Sequence, residues 1–254
     1  MTESNNKVNK AIPKIGAQTY NLCRTPLGAL AKLQVIATLG YDGAELAGFN
    51  GTDYEGVDAQ TMKAEADRLG LDICGTHIPY KVFGEHMDQI IAYHKTLGVH
   101  WVAIPRPVVE CQADIAPLIE NINAYARALR AEGLDLYYHC HDFEFRDFNG
   151  ITAMERILSD TDVMLEIDVF WAAKGGADVM AFLNVHDDRI LYLHLKDANA
   201  DGPCAVGDGQ LDCRGFYDRA VAMGLEYVVV EDDRQLPDGI TSICRSREAL
   251  RGYC

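Results

Sequence analysis

Short apolar runs alternate along this chain with longer stretches whose apolar residues recur at helical spacing. The runs predict strands over 14–19, 43–46, 71–77, 101–104, 135–141, 164–168, 190–194 and 227–231. Helical spacing fills the intervals, over 26–39, 59–69, 83–97, 113–131, 151–158, 178–184 and 215–223, with a last helix from Ile240. Gly70, Gly98, Gly133 and Gly224 each stand between a helical stretch and the next strand, the place of a helix C-cap. Strands that alternate with helices argue for a parallel sheet. Eight such units in 254 residues predict a single-domain (β/α)8 TIM barrel. The rival is a doubly wound open sheet, which carries a glycine-rich phosphate loop after its first strand. Here Thr19-Tyr-Asn-Leu-Cys-Arg24 follows instead. The barrel is expected over 13–254, behind a flexible polar lead-in at 1–12.

The chain carries 23 basic and 38 acidic side chains, a net charge of −15. That balance argues against nucleic acid, which needs a basic footprint, and against attachment to anionic lipid. No apolar run approaches the roughly 18–20 residues needed to span a membrane. The N-terminus lacks the apolar core of a signal peptide, so the expected compartment is the cytoplasm. The eight cysteines are scattered and none forms Cys-x-x-Cys, so free thiols in a reducing cell are expected. Cys140 lies between two histidines, but strand alternation turns it away from both.

Three successive predicted strands end on Asp168, His194 and Glu231. The C-terminal strand ends are where a parallel barrel presents its functional groups. Carboxylate oxygen with imidazole nitrogen suits a hard or borderline divalent cation. Ahead of these stands Leu136-Tyr-Tyr-His-Cys-His-Asp-Phe-Glu-Phe145, with two histidines and two acids in six residues. Alternation places Tyr137, His139 and His141 on one face, with Asp142 and Glu144 in the loop beyond. Spacing leaves open which of His139, His141 and Glu144 touches a metal. Lys196 shares a face with His194 and is placed to reach a substrate oxygen. Trp171 offers a platform for a sugar ring, and His77 ends the third strand. Glu45 and Arg106 are weaker candidates of the same kind. Val206-Gly-Asp-Gly209 lacks the residues of a phosphate loop and reads as a turn passing over the site.

These segments resemble the sugar phosphate isomerase/epimerase family, the xylose isomerase-like TIM barrels. The resemblance runs through Gly40-Tyr-Asp-Gly-Ala-Glu45, Thr76-His77, His139-Cys-His-Asp-Phe-Glu-Phe145, Asp168-Val-Phe-Trp171, Arg189-Ile-Leu-Tyr-Leu-His-Leu-Lys-Asp197, Val206-Gly-Asp-Gly209 and Val228-Val-Val-Glu231. It implies one divalent metal, Mn²⁺ first and Mg²⁺, Co²⁺ or Zn²⁺ after it, held by a Glu-Asp-His-Glu set. Asp168, His194 and Glu231 fall on three of those ligands. The first glutamate is replaced by His139 at its strand-five position, with Glu144 further on. Either His139 takes over as ligand, or Glu144 folds back to the metal and frees His139. The expected ligands are therefore Glu144, Asp168, His194 and Glu231, with His139, His141 and Glu231 as acid/base groups and His77, Trp171 and Lys196 on the substrate.

The implied substrate is a small keto-sugar or glycoside. The implied first step is removal of a proton next to a carbonyl, through a metal-stabilised enediolate. Reprotonation then gives epimerisation or isomerisation. Loss of a β-substituent would instead make the chain a lyase of 3-keto glycosides, C- or O-linked. An abasic-site endonuclease shares this barrel but sits badly with the −15 charge. A non-catalytic sugar-binding or partner subunit is the reading from another class, against which the intact Asp168, His194 and Glu231 argue. Barrels of this family often pair, so a homo-oligomer or a complex with another chain is expected.

Overall fold

A computed structural model describes residues 12–253 of the chain. Residues 1–11, most of the expected lead-in, and Cys254 lie outside the described residues. Eight parallel strands close a barrel: β1 (Lys14–Gln18), β2 (Gly43–Ala47), β3 (Asp72–His77), β4 (Trp101–Pro105), β5 (Asp135–His139), β6 (Met164–Asp168), β7 (Ile190–Leu195) and β8 (Tyr227–Val230). Each strand pairs with the next, and β8 returns to β1 with Lys14 opposite Tyr227 and Ala17 opposite Val230. Outside them run α1 (Ala29–Thr38), α2 (Ala59–Leu69), α3 (Tyr80–Glu85), α4 (Met87–Leu97), α5 (Ile115–Ala131), α6 (Ala153–Asp160), α7 (Val169–Lys174), α8 (Val179–Val185), α9 (Cys213–Met223) and α10 (Gly239–Arg251). This is the single-domain (β/α)8 barrel that the alternation of patterns predicts. No helix among the described residues is long and apolar enough to cross a membrane.

Local sequence sets the helix ends. Asp58, Asp178, Asp212 and Asp238 each accept a backbone N–H three residues on, and Thr152 with Glu155 forms a capping box. Gly70, Gly98 and Gly224 take the left-handed conformation that closes α2, α4 and α9.

The structure departs from the sequence reading where tertiary contacts intervene. The helix over 83–97 is broken at His86 into α3 and α4. Strand five stops at His139, so His141 lies in the loop and strand alternation does not aim it. Glu231 is the first residue past β8. A short antiparallel hairpin, Asp197–Asn199 with Gly202–Cys204, follows β7. The Val206–Gly209 turn folds onto the buried Asp197 carboxylate, which accepts the N–H groups of Gly207 and Gly209 at 3.0 Å. It does not line the barrel mouth.

Two apolar layers meet at the sheet. The main core lies between strands and helices and includes Tyr138 and Cys140, so the Cys140 thiol points out of the barrel. A smaller cluster of Cys74, Ala103, Tyr137, Tyr192, Tyr227 and Val229 plugs the lower barrel. This leaves the upper interior to polar side chains.

One buried histidine outside the barrel tests the packing. His94 on α4 donates through Nδ1 to the Ile90 carbonyl at 2.6 Å, and its Nε2 accepts the Tyr54 hydroxyl at 3.0 Å. Burial holds the ring uncharged, its pKa lowered to about 4. A neutral ring stabilises the fold above the ordinary histidine pKa, and that stability is lost as pH falls from about 6.5 to about 4. Its full loss amounts to about 3 kcal/mol. Urea unfolding of the His94→Phe variant should show a shallower acid limb than the native chain, with a cost of about 1–3 kcal/mol near neutrality for the unpaired Tyr54 hydroxyl. Equal pH slopes in the two proteins would refute this account.

Candidate metal centre

Strand alternation carries polar side chains into the barrel above the tyrosine plug. Glu45 on β2 and Glu166 on β6 are fully buried there. Each follows a register shift: β2 slips against β3 between Ala44 and Glu45, and β6 slips against β7 between Leu165 and Glu166. A bulge re-aims the side chain that follows it. Glu45 accepts from the Tyr137 hydroxyl, from Gln18 Nε2 at 2.7 Å and from His194 Nε2 at 2.7 Å. Glu166 accepts from His77 Nε2 at 2.8 Å and from His139 Nδ1 at 2.9 Å. Gly75 makes the room, because a Cβ there would strike the Tyr137 hydroxyl and come within 2.7 Å of Glu45 Oε1.

One tier higher, His139, Asp168, His194 and Glu231 come together. Each offers one ligand atom, and these atoms lie within 4.8 Å of one another. Asp168 and His194 are register neighbours on β6 and β7. Asp168 Oδ1 caps α7 by accepting the Trp171 N–H at 2.9 Å, which fixes the carboxylate and leaves Oδ2 facing inward. Oδ2 is buried, accepts no hydrogen bond, and lies 2.9 Å from Lys196 Nζ. His194 Nδ1 is 3.2 Å from Glu231 Oε2, while Glu45 holds its other nitrogen from below. His139 likewise gives one nitrogen to Glu166. A carboxylate that fixes the far nitrogen of an imidazole is the usual outer support of a metal-binding histidine. His77, His139, Glu166 and His194 form an overlapping group of potential ligands in the same space.

Charge dominates the site. Lys196, fully buried, meets Asp168, Glu231 and Asp233 at 2.8–2.9 Å. Burial alone would lower the His194 and His77 pKa values. Glu166 and Glu45 outweigh it, holding His194 well above its ordinary value and His77 at about 9. Burial lowers His139 well below the ordinary range, helped by the charge on His194. It raises Asp168 to about 6 although Lys196 pulls the other way. Burial opposes ionisation of Glu231 too, but Lys196 and His194 keep it charged. Acidic groups thus exceed fixed cations, and histidine protons make up part of the balance. A divalent cation would replace those protons. Two imidazoles and two carboxylates fit such an ion, and the inward Asp168 Oδ2 accepts no hydrogen bond although Lys196 lies beside it.

A model of the xylose isomerase-like TIM barrel matches residues 33–251. The chain belongs to this family. An inosose dehydratase of Salmonella typhimurium is 25% identical over 242 residues, covering 75% of this chain and 79% of that protein. An inosose dehydratase of Lactiplantibacillus plantarum is 28% identical over 141 residues, and the match spans 45% of each chain. Among solved structures, a sugar phosphate isomerase/epimerase from Parabacteroides distasonis superposes with a TM-score of 0.83 at 24% identity, over 94% of this chain and 98% of that one. The 3-keto-D-glucoside 4-epimerase of E. coli gives 0.69 at 16% identity, over 95% and 98%.

The site opens at the C-terminal strand ends, the face at which a (β/α)8 barrel presents its functional groups. A cavity of about 490 Å³ lies there, bordered by His77, His139, His141, Trp171, Arg106 and Glu231. His141 Nδ1 and Trp171 Nε1 are buried without a hydrogen-bond partner among the described residues. Lys196, expected on the substrate, is instead sequestered among carboxylates. Glu144 stands apart. It accepts from the Tyr138 hydroxyl at 2.8 Å and from the His141 N–H at 2.8 Å, behind β5. Tyr138 points out of the barrel, so a carboxylate bonded to it cannot also face the interior. Burial raises Glu144 to about 7. The sequence reading passed over Glu166, although it stands two residues before Asp168 and so shares its face. It also passed over Gln18, which donates to Glu45, and Tyr20, Arg24 and Asp233, which border the cavity; no local pattern marks these positions.

His139→Ala should therefore lose bound metal, whereas Glu144→Gln should keep it. Elemental analysis of both purified variants, together with the native chain at about one ion per chain, decides the point. Metal lost from Glu144→Gln and retained by His139→Ala would reverse the assignment.

Proposed function

We propose that this chain is a divalent-metal-dependent isomerase or epimerase of keto-sugars that begins by removing the proton next to a carbonyl. The observation that carries the reading is the buried His139, Asp168, His194 and Glu231 group at the mouth of a closed barrel, directly under a sugar-sized cavity. Bound there, a cation such as Mn²⁺ would supply Lewis acidity, polarising the carbonyl and offsetting the charge of the enediolate.

The chain's own groups do the rest. Glu231 is ionised at neutral pH and borders the cavity, so it accepts the α proton. Lys196 holds Glu231 in place and keeps its carboxylate charged. His141 is uncharged, because burial and then the Lys196 charge lower it to about 3. Its unpartnered Nδ1 is free to hydrogen-bond a substrate hydroxyl. His77 and Trp171 border the ring. Glu45 and Glu166 fix the two histidines from below.

A second reading shares the first step. If the group β to the carbonyl departs, the same site runs an elimination, as a dehydratase or a lyase of 3-keto glycosides. The inosose dehydratases among the relatives favour it, and the proton that Glu231 takes from the α carbon can leave with the departing oxygen.

Keto-sugar substrates incubated with the metal-loaded protein in D₂O should gain deuterium at the α carbon. Glu231→Gln should cost on the order of 10²–10⁴ in rate. Epimerised or isomerised product supports the first reading, and an unsaturated product the second. Turnover with neither exchange nor an isotope effect would mean that no α proton is removed.

A further inference from the structure

The cavity over the metal group has a neighbour. A second chamber of about 640 Å³ lies beside it, and Arg106, His141 and Trp171 border both. The outer chamber is the larger, too large to be filled by a hydroxymethyl or phosphate group of the inner sugar. Its apolar walls are Trp171, Phe143, Val109 and Val108, and Val108 is 76% exposed, a costly place for a branched apolar side chain with nothing to cover.

Its charges run against the rest of the chain. Arg106, Arg146 and Lys174 face Glu110 and Asp142 here, in a protein of net charge −15. Asp142 is neutralised by Arg146 at 2.6 Å. No carboxylate among the described residues pairs with Arg106 or Lys174. Lys174 Nζ instead lies over the Trp171 ring, 4.3 Å from its centroid. Arg106 is held at φ +45°, a conformation an arginine adopts only when its surroundings impose it. The chamber is also preformed: a Cβ on Gly175 would come within 2.6 Å of the Asp142 carbonyl, so this glycine lets the end of α7 close against the 142–145 turn.

We infer that the outer chamber binds an acidic aromatic group carried by the sugar, so that the substrate is a glycoside or comparable conjugate of an aromatic acid rather than a free monosaccharide. This rests on the proposed keto-sugar function for the inner cavity. The ring lies between Trp171 and the Val108–Val109 wall, and Arg106 and Lys174 take the anion. A bare phosphate would use the cations and leave the apolar walls wet.

Affinity for four probes tests the inference: glucose, glucose 6-phosphate, phenyl β-glucoside and 4-carboxyphenyl β-glucoside, followed by tryptophan fluorescence and calorimetry. Phenyl β-glucoside should bind about tenfold more tightly than glucose, and its 4-carboxy derivative about tenfold more tightly again. Arg106→Gln and Lys174→Gln should each abolish the second increment and keep the first, and Val108→Asp should abolish the first. Metal content should be unchanged in all three. The inference is overturned if 4-carboxyphenyl β-glucoside binds no better than glucose, or if glucose 6-phosphate matches it. The same titrations in chelator-treated protein keep the two readings apart. The increments should survive there, since Arg106, Lys174 and Val108 are outside the metal group. A chain that showed them yet never held metal would sustain the outer chamber and remove the metal-dependent function alone.

Discussion

Buried negative charge inside the barrel is the constraint on which the rest of the site depends. Glu45, Glu166 and Asp168 are fully buried, and Glu231 nearly so. An ionised carboxylate moved out of water costs several kcal/mol unless partners surround it. Every neighbouring feature answers that cost. Lys196 lies among Asp168, Glu231 and Asp233. His77 and His194 hold protons that free histidines would release near neutrality. The Gln18 amide and the Tyr137 hydroxyl donate from below. A site already balanced by such donors would have little use for a divalent cation. This one balances its charge partly with histidine protons, which a bound divalent cation would displace.

The backbone bends to make this arrangement. Both interior glutamates follow register shifts, and Gly75 removes the one side chain that would block the Tyr137–Glu45 bond. The tyrosines of the lower barrel fill a space that other barrels fill with branched apolar residues. Their hydroxyl ends supply donors where the polar tier begins. Fold stability and site geometry are thus set by the same residues, so changes to the plug will be felt at the ligands.

The fold itself does not choose a reaction. Barrels of this shape include proteins named as epimerases, and the sequence relatives include dehydratases. In this chain the potential ligands include an imidazole on β5 in place of the glutamate implied by the resemblance, and are flanked by a neutral His141 at the mouth and a cationic, half-apolar chamber next door.

The sequence by itself determined the barrel. Eight apolar runs with helical intervals, closed by glycines, admit few other arrangements, because a strand and the helix after it each have a face to bury. It also marked Asp168, His194 and Glu231, since a parallel barrel turns every strand end toward one mouth. It did not determine what happens just past a strand, where alternation no longer holds. His141 and Glu144 are three residues apart, yet one borders the cavity and the other bonds the outward-facing Tyr138. The place of Glu166 depended on a register shift, and that of Asp233 on a loop bringing it to Lys196. Only the tertiary structure decided these, because each depends on contacts between segments far apart in the chain, and such contacts leave no period in the sequence.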